Sequence, residues 1–378
     1  MNKRILTVFG TRPEAIKMAP VVLGVTEAEI LDGEVCVTAQ HREMLDQVMD
    51  IFTIKANYDL NLMRPGQDLY DITARVLTGM REVLRQSKPD VVLVHGDTTT
   101  CFAAALAAFY EGIKVGHVEA GLRTGNMMAP FPEEANRSLV GRLASYHFAP
   151  TETAKNNLLA ENVDPSTIYV TGNTVIDALL MVRDKAQKMP KSFWKNTFGK
   201  ALYSSIVDEK RKMILITGHR RENFGQGFVD LCTAIKNLAL KHPDWLLLYP
   251  VHLNPNVQKP VNDILSGLAN VSLIEPQQYL PFVWLMNQSD VILTDSGGIQ
   301  EEGPSLGKPV LVMRDVTERP EAVEAGTVRL VGTNTQKIVE GVEQVLLDEK
   351  VLNKMSSASN PYGDGRATQR IIEVLAQS

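Results

Sequence analysis

The chain has 378 residues, of which 44% are hydrophobic and 22% are charged, and its formal net charge is −5. This length exceeds what one ordinary hydrophobic core accommodates, so two domains are predicted. The acidic balance, without a basic stripe, argues against a nucleic-acid partner. The longest apolar run, residues 101–109, is too short for a membrane span, and no signal-peptide cleavage site follows the first residues.

Short β-branched runs alternate with longer helical patterns along almost the whole chain. The first series of predicted strands comprises residues 5–9, 34–37, 91–95, 114–119, 146–149 and 168–170, with helices between them such as 99–110. The second series comprises residues 213–217, 245–250, 271–274, 291–294, 310–313 and 327–330. This alternation predicts an α/β protein with parallel sheets that are covered on both faces.

The two series of strands predict the domain organisation. We place the first Rossmann-like domain at residues 1–171 and the second at 172–362, with a C-terminal helix in 363–378 that packs back on the first domain. Residues 189–208, between the two series, are predicted to be irregular or peripheral. In open parallel sheets ligands bind beyond the carboxyl ends of the strands. Polar clusters follow strands in both halves, which predicts a cleft between the two domains.

The most informative segment is residues 291–302, with the sequence V-I-L-T-D-S-G-G-I-Q-E-E. An apolar strand ends there in Asp295, Ser296, Gly297 and Gly298, and a helical pattern starts at once. The unpaired N–H groups and the dipole of such a helix start are suited to a phosphate. Glu302 lies about one turn further, where its carboxylate can accept hydrogen bonds from ribose hydroxyls. A nucleoside diphosphate is therefore predicted. The alternative is that Ser296 only caps the helix and the glycines only make a turn.

The turn after the first strand carries two cations, Arg12 and Lys17, about one helical turn apart. Both suit a phosphate or a departing diphosphate, although ordinary surface charge is the alternative. The turn lacks the G-x-G-x-x-G pattern of a dinucleotide site. No histidine spacing indicates a metal site, so neither a metal nor another cofactor is expected. Cys36, Cys101 and Cys232 form no CxxC pair, which predicts reduced, buried thiols in a cytoplasmic protein.

Three carboxylates follow neighbouring strands of the first half. Asp97 comes after the strand 91–95, Glu119 ends the next strand, and Glu133 starts a later helix. Asp97 alone could cap a helix, and Glu133 alone could complement the helix dipole. Crowded together and desolvated, one or more of them would have a raised pKa and could act as an acid or base.

The second half offers further candidate ligands of a nucleotide. His219 follows the strand 213–217 beside two arginines and could bind or protonate a departing phosphate, although a lone histidine is usually structural. Gln277 and Phe282 follow another strand, where a base could stack or form hydrogen bonds, although phenylalanine is more often part of a core. Arg319 lies beyond the strand after the glycine turn and could reach the same diphosphate.

Six runs of the sequence stand out together, namely V-F-G-T-R-P-E-A-I-K-M-A-P, H-G-D-T-T-T, H-V-E-A-G-L-R-T-G, P-E-E-A-N-R, T-G-H-R-R-E-N and D-S-G-G-I-Q-E-E. In this order they resemble the non-hydrolysing UDP-N-acetylglucosamine 2-epimerases of bacteria. The resemblance extends through essentially the whole chain. It implies a fold like the two-domain GT-B glycosyltransferases and interconversion of UDP-GlcNAc and UDP-ManNAc. It also implies a homodimer that supplies cell-surface polysaccharide synthesis.

The resemblance also implies roles for individual residues. The functional acids of the family fall on Asp97, Glu119 and Glu133, and its active-site histidine falls on His219. Its substrate-binding residues fall on Arg12, Lys17, Gln277, Phe282, Ser296, Gly297, Gly298, Glu302 and Arg319. Some relatives bind a second UDP-GlcNAc as an activator beside residues 40–43. The chain departs from that pattern at Glu43 and near Gly66, which weighs against such activation.

For inversion of carbon 2 of the sugar in UDP-GlcNAc, elimination is the favoured mechanism. No carbonyl acidifies the proton on carbon 2, and an oxidation route would need NAD, whose glycine pattern is missing. Removal of that proton with departure of UDP would leave 2-acetamidoglucal, to which UDP then returns. Three other functions stay open: a GT-B glycosyltransferase of UDP-sugars, a hydrolysing epimerase that releases ManNAc and UDP, and a catalytically silent sugar-nucleotide sensor.

Overall fold

A computed structural model describes residues 2–39, 42–62, 64, 66–317 and 319–377. The chain folds into two compact units. The first runs to Leu180 and resumes at Tyr362, and the second comprises Met181–Pro361. The division falls inside the helix Thr174–Lys188, whereas the sequence predicted a boundary at Thr171.

The first unit contains a seven-stranded parallel sheet with the strand order β3-β2-β1-β4-β5-β6-β7. Its strands are β1 Lys3–Phe9, β2 Leu31–Val37, β3 Tyr58–Asp59, β4 Val91–His95, β5 Lys114–Val118, β6 Tyr146–Ala149 and β7 Ile168–Val170. Its helices up to the division are α1 Arg12–Glu27, α2 Arg42–Phe52, α3 Leu69–Ser87, α4 Thr99–Tyr110, α5 Glu133–Leu143, α6 Glu152–Ala160 and α7 Thr174–Lys188. The central strands are buried on both faces, as their continuous apolar runs predicted.

The start of α1 is fixed by a buried carboxylate. Glu14 accepts hydrogen bonds from the backbone N–H groups of Gly10 at 3.0 Å and Thr11 at 2.8 Å, and from the hydroxyl of Thr98. Thr11 in turn caps the helix, so the two residues form a capping box. Burial raises the pKa of Glu14 in spite of these donors. Glu14 thereby joins the turn after β1 to the turn after β4.

The second unit contains a six-stranded parallel sheet with the order β10-β9-β8-β11-β12-β13. Its strands are β8 Met213–Thr217, β9 Leu246–Pro250, β10 Val271–Ile274, β11 Val291–Thr294, β12 Val310–Val312 and β13 Val328–Leu330. Its helices are α8 Lys191–Phe198, α9 Lys200–Ile206, α10 Gln226–Lys241, α11 Pro255–Leu265, α12 Tyr279–Gln288, α13 Gly297–Ser305, α14 Pro320–Glu324, α15 Thr335–Leu347 and α16 Glu349–Ser357. The predicted strands of both series are confirmed, and β3 is added.

The prediction that residues 189–208 are irregular is wrong, because α8 and α9 occupy that segment. Pro190 precedes the first of these helices, and Gly199, with φ of 78°, separates them. Trp194 is buried, and its ring stacks on Trp284 at 4.5 Å. The two turn-forming residues suggested a loop, but tertiary contact of the aromatic rings supports two short helices there.

The C-terminal helix α17, Ala367–Gln377, lies in the first unit and packs on α1. A Cβ atom at Gly24 would lie 2.7 Å from Thr368 Cγ2, so glycine permits this close approach of the two helices. The carboxylate of Asp177 accepts hydrogen bonds from the first N–H groups of α17, including that of Thr368 at 2.8 Å. No helix in the described ranges is long and apolar enough to cross a bilayer.

Candidate functional site

The carboxyl ends of β1, β4 and β5 lie side by side in the first sheet. Glu119 follows β5 directly, and its carboxylate forms an ion pair with Lys17 on α1. The amide of Asn173, which lies beyond β7, donates a hydrogen bond to the same carboxylate at 3.0 Å. Strand order therefore joins three polar residues that are far apart in the sequence.

The backbone of Glu119 adopts an uncommon conformation. Its φ is +66°, in the left-handed region that a residue with a Cβ atom rarely occupies. Such a conformation is retained where the surroundings enforce it, and it is frequent at functional sites. Here it directs the carboxylate into a cluster with Lys17 and Asn173.

Asp97 is held by two residues of α5. Its carboxylate forms an ion pair with Arg137, and its backbone carbonyl accepts a hydrogen bond from the amide of Asn136 at 2.9 Å. Burial raises the pKa of Asp97, and the charge of Glu119 also raises it, against the lowering effects of Arg137 and Lys17. The capping interpretation of Asp97 is wrong, because Thr98 is the N-cap of α4.

A buried histidine adjoins these carboxylates. Nε2 of His95 lies 3.8 Å from a carboxylate oxygen of Glu119, and neither ring nitrogen has a hydrogen-bond partner within the described residues. Burial lowers the pKa of His95 to about 4, so its ring is neutral at neutral pH. His117 is also buried, and its Nε2 lies 2.7 Å from the carbonyl oxygen of Gly96.

Glu133 and Arg12 each start a helix at this end of the first sheet. Glu133 is the first residue of α5, as predicted, and lies about one turn before Arg137 on the same helix. The next residue, Glu134, is buried and accepts backbone hydrogen bonds at 2.9–3.1 Å from Thr124 and Gly125, which anchors the preceding loop. Arg12 is half-buried at the first position of α1.

In the second unit, the glycine turn starts a helix as the sequence predicted. Ser296 occupies the N-cap position of α13, but its side chain makes no capping hydrogen bond to the described residues. Apart from its chain neighbours and the backbone of its own helix, a Cβ atom on Gly298 would meet no atom of the described residues within 4 Å. One on Gly297 would lie 3.5 Å from Cζ of Arg319 and 3.7 Å from a terminal nitrogen of Arg220. Two guanidinium groups thus lie beside the helix start, and that of Arg319 also pairs with the carboxylate of Glu301 at 2.8 Å. Guanidinium groups and a helix start are both suited to binding an anion.

His219 lies next to this turn, on the loop after β8. Its backbone N–H donates a hydrogen bond at 2.8 Å to the carboxylate of Asp295, the residue before Ser296. The N–H of Arg220 donates to the same oxygen at 2.8 Å. Burial lowers the pKa of His219, and the charge of Asp295 acts in the opposite direction.

Glu302 lies in α13, and its side chain is held by an aromatic residue of α12. The hydroxyl of Tyr279 donates a hydrogen bond to the carboxylate of Glu302 at 2.7 Å, and both residues are buried. Gln277 and Phe282 flank this contact along the chain, and both are half-buried. The amide of Gln277 donates to the carbonyl of Glu275 at 2.7 Å. Phe282 is therefore not a core residue, in contrast to the alternative interpretation of its position.

Replacing Tyr279 by phenylalanine removes one donor to the buried Glu302 carboxylate. We expect the free energy of unfolding to fall by about 1–3 kcal/mol, the usual cost of removing a hydrogen bond to a buried charged group. Urea denaturation of the variant and the parent protein measures this difference. Tyr70→Phe is the matched control, because Tyr70 is 85% exposed and its replacement should leave the midpoint unchanged. Equal midpoints for Tyr279→Phe and the parent protein would show that the bond contributes nothing to stability.

Several site residues were not assigned from the sequence. Asn173, Arg137, Tyr279 and Asp295 contact predicted residues, but each lies too far along the chain for a motif to join it to its partner. Arg220 was noticed only as a cation beside His219. Within the described ranges, no group of three or more histidine, cysteine, aspartate or glutamate residues is arranged to hold a metal ion.

The segment that the resemblance connects with a second nucleotide is described only in part, since Gln40 and His41 lie outside the described residues. Glu43 is exposed in the first turn of α2. Its neighbour Arg42 pairs with Asp46 at 3.0 Å and with Asp59. The prediction on activation is therefore untested.

A family model and a curated relative with high sequence identity indicate the same family. A family model described as UDP-N-acetylglucosamine 2-epimerase matches residues 24–376. The UDP-N-acetylglucosamine 2-epimerase of Escherichia coli K12 is 62% identical over 372 residues, which cover 98% of each chain.

Solved structures agree with the sequence comparison. The Neisseria meningitidis UDP-GlcNAc 2-epimerase bound to UDP-GlcNAc is 55% identical, with a TM-score of 0.88 and coverage of 99% of this chain and 100% of that one. The enzyme of Methanocaldococcus jannaschii is 35% identical, with a TM-score of 0.86 and the same coverage. Together with the two parallel sheets, these neighbours confirm the predicted GT-B-like fold class.

Proposed function

Because the chain belongs to the UDP-N-acetylglucosamine 2-epimerase family, we propose that it interconverts UDP-GlcNAc and UDP-ManNAc. The observation that carries this proposal is the cluster in which Glu119, in its left-handed conformation, pairs with Lys17 near Asp97. Acid–base groups at the strand ends of one unit, and an anion site at the strand ends of the other, are what the reaction requires.

The reaction proceeds by elimination and re-addition. A base takes the proton from carbon 2, its electron pair forms the double bond to carbon 1, and the bond from carbon 1 to the diphosphate oxygen breaks towards UDP. This step leaves 2-acetamidoglucal. An acid then delivers a proton to the opposite face of carbon 2 while the UDP oxygen attacks carbon 1, so atoms and charges balance. Neither step consumes an oxidant or a reductant.

The environments of the two carboxylates support different roles. Lys17 stabilises the ionised form of Glu119, so we assign to Glu119 the removal of the proton from UDP-GlcNAc. Burial raises the pKa of Asp97, so we assign to Asp97 the delivery of the proton on the other face. In the reverse direction the two roles exchange. Glu133, at the start of α5, is proposed to contribute to the same acidic site.

The diphosphate is proposed to bind at the start of α13. Backbone N–H groups among those of Ser296, Gly297 and Gly298 donate hydrogen bonds to it, and Arg319 supplies a guanidinium group beside them. His219 neutralises the charge that develops on the departing UDP. Glu302 accepts hydrogen bonds from the ribose hydroxyls, while Gln277 and Phe282 contact the base, and Arg12 assists Lys17 with the phosphates.

Incubation with UDP-GlcNAc in deuterated water tests the mechanism. Because the proton on carbon 2 exchanges with solvent, we expect deuterium at carbon 2 of both recovered UDP-sugars, with new anomeric signals of UDP-ManNAc in NMR spectra. An unlabelled UDP-ManNAc product would exclude elimination. Free ManNAc with UDP would indicate a hydrolysing epimerase, and transfer of GlcNAc to an acceptor without UDP-ManNAc would indicate a glycosyltransferase.

We also propose that the enzyme is a cytoplasmic homodimer that supplies ManNAc units for surface polysaccharide. The family supports the dimer and the pathway, and the three buried, free cysteines suit a reducing compartment. Light scattering of the purified protein tests the dimer. Loss of ManNAc from surface polysaccharide after deletion of the gene, with recovery on complementation, tests the pathway.

A further inference from the structure

Asp295 and His219 lie at the carboxyl ends of two neighbouring parallel strands, β11 and β8. Asp295 is fully buried, with an exposed fraction of 0%, whereas 44% of the His219 side chain is exposed. Hydroxyls of Thr217 and Thr294, the last residues of these strands, lie 2.6 Å apart and hold the two ends together. The buried carboxylate of Asp295 thus lies beside His219, whose side chain is partly accessible to solvent.

The two carboxylate oxygens of Asp295 have different surroundings. Oδ2 accepts the backbone N–H groups of His219 and Arg220, each at 2.8 Å, and the amide of Asn223 at 3.4 Å. Oδ1 is buried and has no hydrogen-bond partner in the part of the chain that the structure describes. Its distance to Nδ1 of His219 is 3.8 Å. A small rotation of the imidazole would bring Nδ1 into hydrogen-bond range.

The hydrogen bonds that hold the loop after β8 account for only one of the two carboxylate oxygens of Asp295, namely Oδ2. The backbone donors need a single acceptor oxygen, and the neutral amide of asparagine would provide one. Burying a second, unsatisfied charged oxygen is unfavourable unless another group uses it. His219 is the group that faces it. The ring of His252 stacks on the ring of His219, with the centroids 5.2 Å apart and 12° between the planes. This stacking limits the tilt of the His219 imidazole.

We propose that Asp295 is a positioning residue for His219, accepting the Nδ1 proton so that Nε2 is presented to the departing diphosphate. This role rests on the proposed function. The imidazolium carries protons on both nitrogens, so it can bind Asp295 with Nδ1 and donate to a phosphate oxygen with Nε2. A buried acid that orients a catalytic histidine in this manner also fixes its tautomer.

Burial and the charges around His219 determine whether its pKa is raised or lowered. Burial lowers its pKa, the nearby His252 and Arg220 lower it further, and Asp295 raises it. Without the negative charge of Asp295, the pKa of His219 should fall. The imidazolium is present below that pKa and is lost as the pH rises through it. A bound diphosphate, being an anion, should raise the pKa again and favour the doubly protonated ring.

Asp295→Asn tests this proposal. The backbone N–H groups retain an oxygen acceptor, but the amide nitrogen then takes the place of Oδ1 and faces Nδ1 as a donor. We expect Nδ1 of neutral His219 to lose its proton to Nε2, the pKa of His219 to fall, and kcat to drop by about 10–100-fold with little change in KM. ¹⁵N NMR of the histidine rings, with His219→Gln for assignment, measures tautomer and pKa with and without UDP.

Asp290→Asn is the matched control. Asp290 lies at the other end of β11, and its carboxylate accepts the backbone N–H of Met213, the first residue of β8, at 2.7 Å. Like Asp295, it therefore joins β11 to the chain segment of β8 through a backbone hydrogen bond. The control should leave the His219 resonances and kcat unchanged. If both variants shift His219 alike, or if Asp295→Asn leaves its tautomer and pKa as in the parent protein, the proposal is overturned.

Two measurements on the parent protein complete the test. A neutral His219 with its proton on Nε2 would overturn the proposal even if Asp295→Asn did not fold. A parent protein that fails to epimerise UDP-GlcNAc would contradict the proposed function, while the NMR titration with UDP would still decide whether Asp295 orients His219.

Discussion

Replacing Glu119 by glutamine is expected to lower kcat by about 10²–10⁴-fold, because a positioned acid or base typically contributes that much. Glutamine keeps the size of the side chain and can still accept a hydrogen bond from Asn173, but it cannot take a proton from carbon 2. NMR of UDP-GlcNAc in deuterated water measures both the rate of UDP-ManNAc formation and the exchange at carbon 2. We expect Glu119→Gln to lower both by the same factor.

The matching change at Asp97 separates the two proposed roles. In Asp97→Asn, Glu119 can still remove and return a proton on one face, so deuterium should enter UDP-GlcNAc while UDP-ManNAc fails to form. Glu152→Gln is the control, since that side chain is 70% exposed at the start of α6. Full epimerase activity in Glu119→Gln and Asp97→Asn would show that a different set of groups carries the reaction.

Gly298→Ala should weaken nucleotide binding without weakening the fold. The new methyl group would meet no atom of the described residues within 4 Å outside its own helix, and alanine is the better helix former by up to about 1 kcal/mol. The same methyl group would occupy the space at the start of α13 where the diphosphate is proposed to bind. Because the methyl group would push the diphosphate away from the N–H groups and weaken a charge-assisted hydrogen bond, we expect the Kd of UDP to rise roughly 10–100-fold. Isothermal titration calorimetry measures Kd, and thermal unfolding measures stability.

Gly227→Ala provides the comparison for this variant. Gly227 is likewise the second residue of a helix, α10, and a methyl group there would make only ordinary contacts of 3.8 Å with Thr333. It should bind UDP like the parent protein. A Gly298→Ala protein with unchanged affinity for UDP would place the diphosphate elsewhere.

Much of the fold was predictable because its signals are local. Continuous apolar runs such as those of β4 and β11 identify strands that are buried on both faces, and their alternation with helices implies parallel sheets. The two-residue strand β3 carries no such signal, because its pairing with β2 depends on the neighbouring strand. The helices α8 and α9 were missed because Pro190 and Gly199 indicate turns, whereas packing of Trp194 on Trp284 is a tertiary effect.

The sequence by itself determined which residue types follow each strand: the glycine turn at Ser296, the acids at Asp97 and Glu119, and the histidine at 219. Only the tertiary structure decided their partners, namely Lys17 with Glu119 and Asp295 with His219. The physical reason is that side-chain pairing depends on strand order and backbone direction. Residues that pair in space can lie far apart in the chain, as Lys17 and Glu119 do with a separation of 102 positions, which is beyond the range of any local pattern.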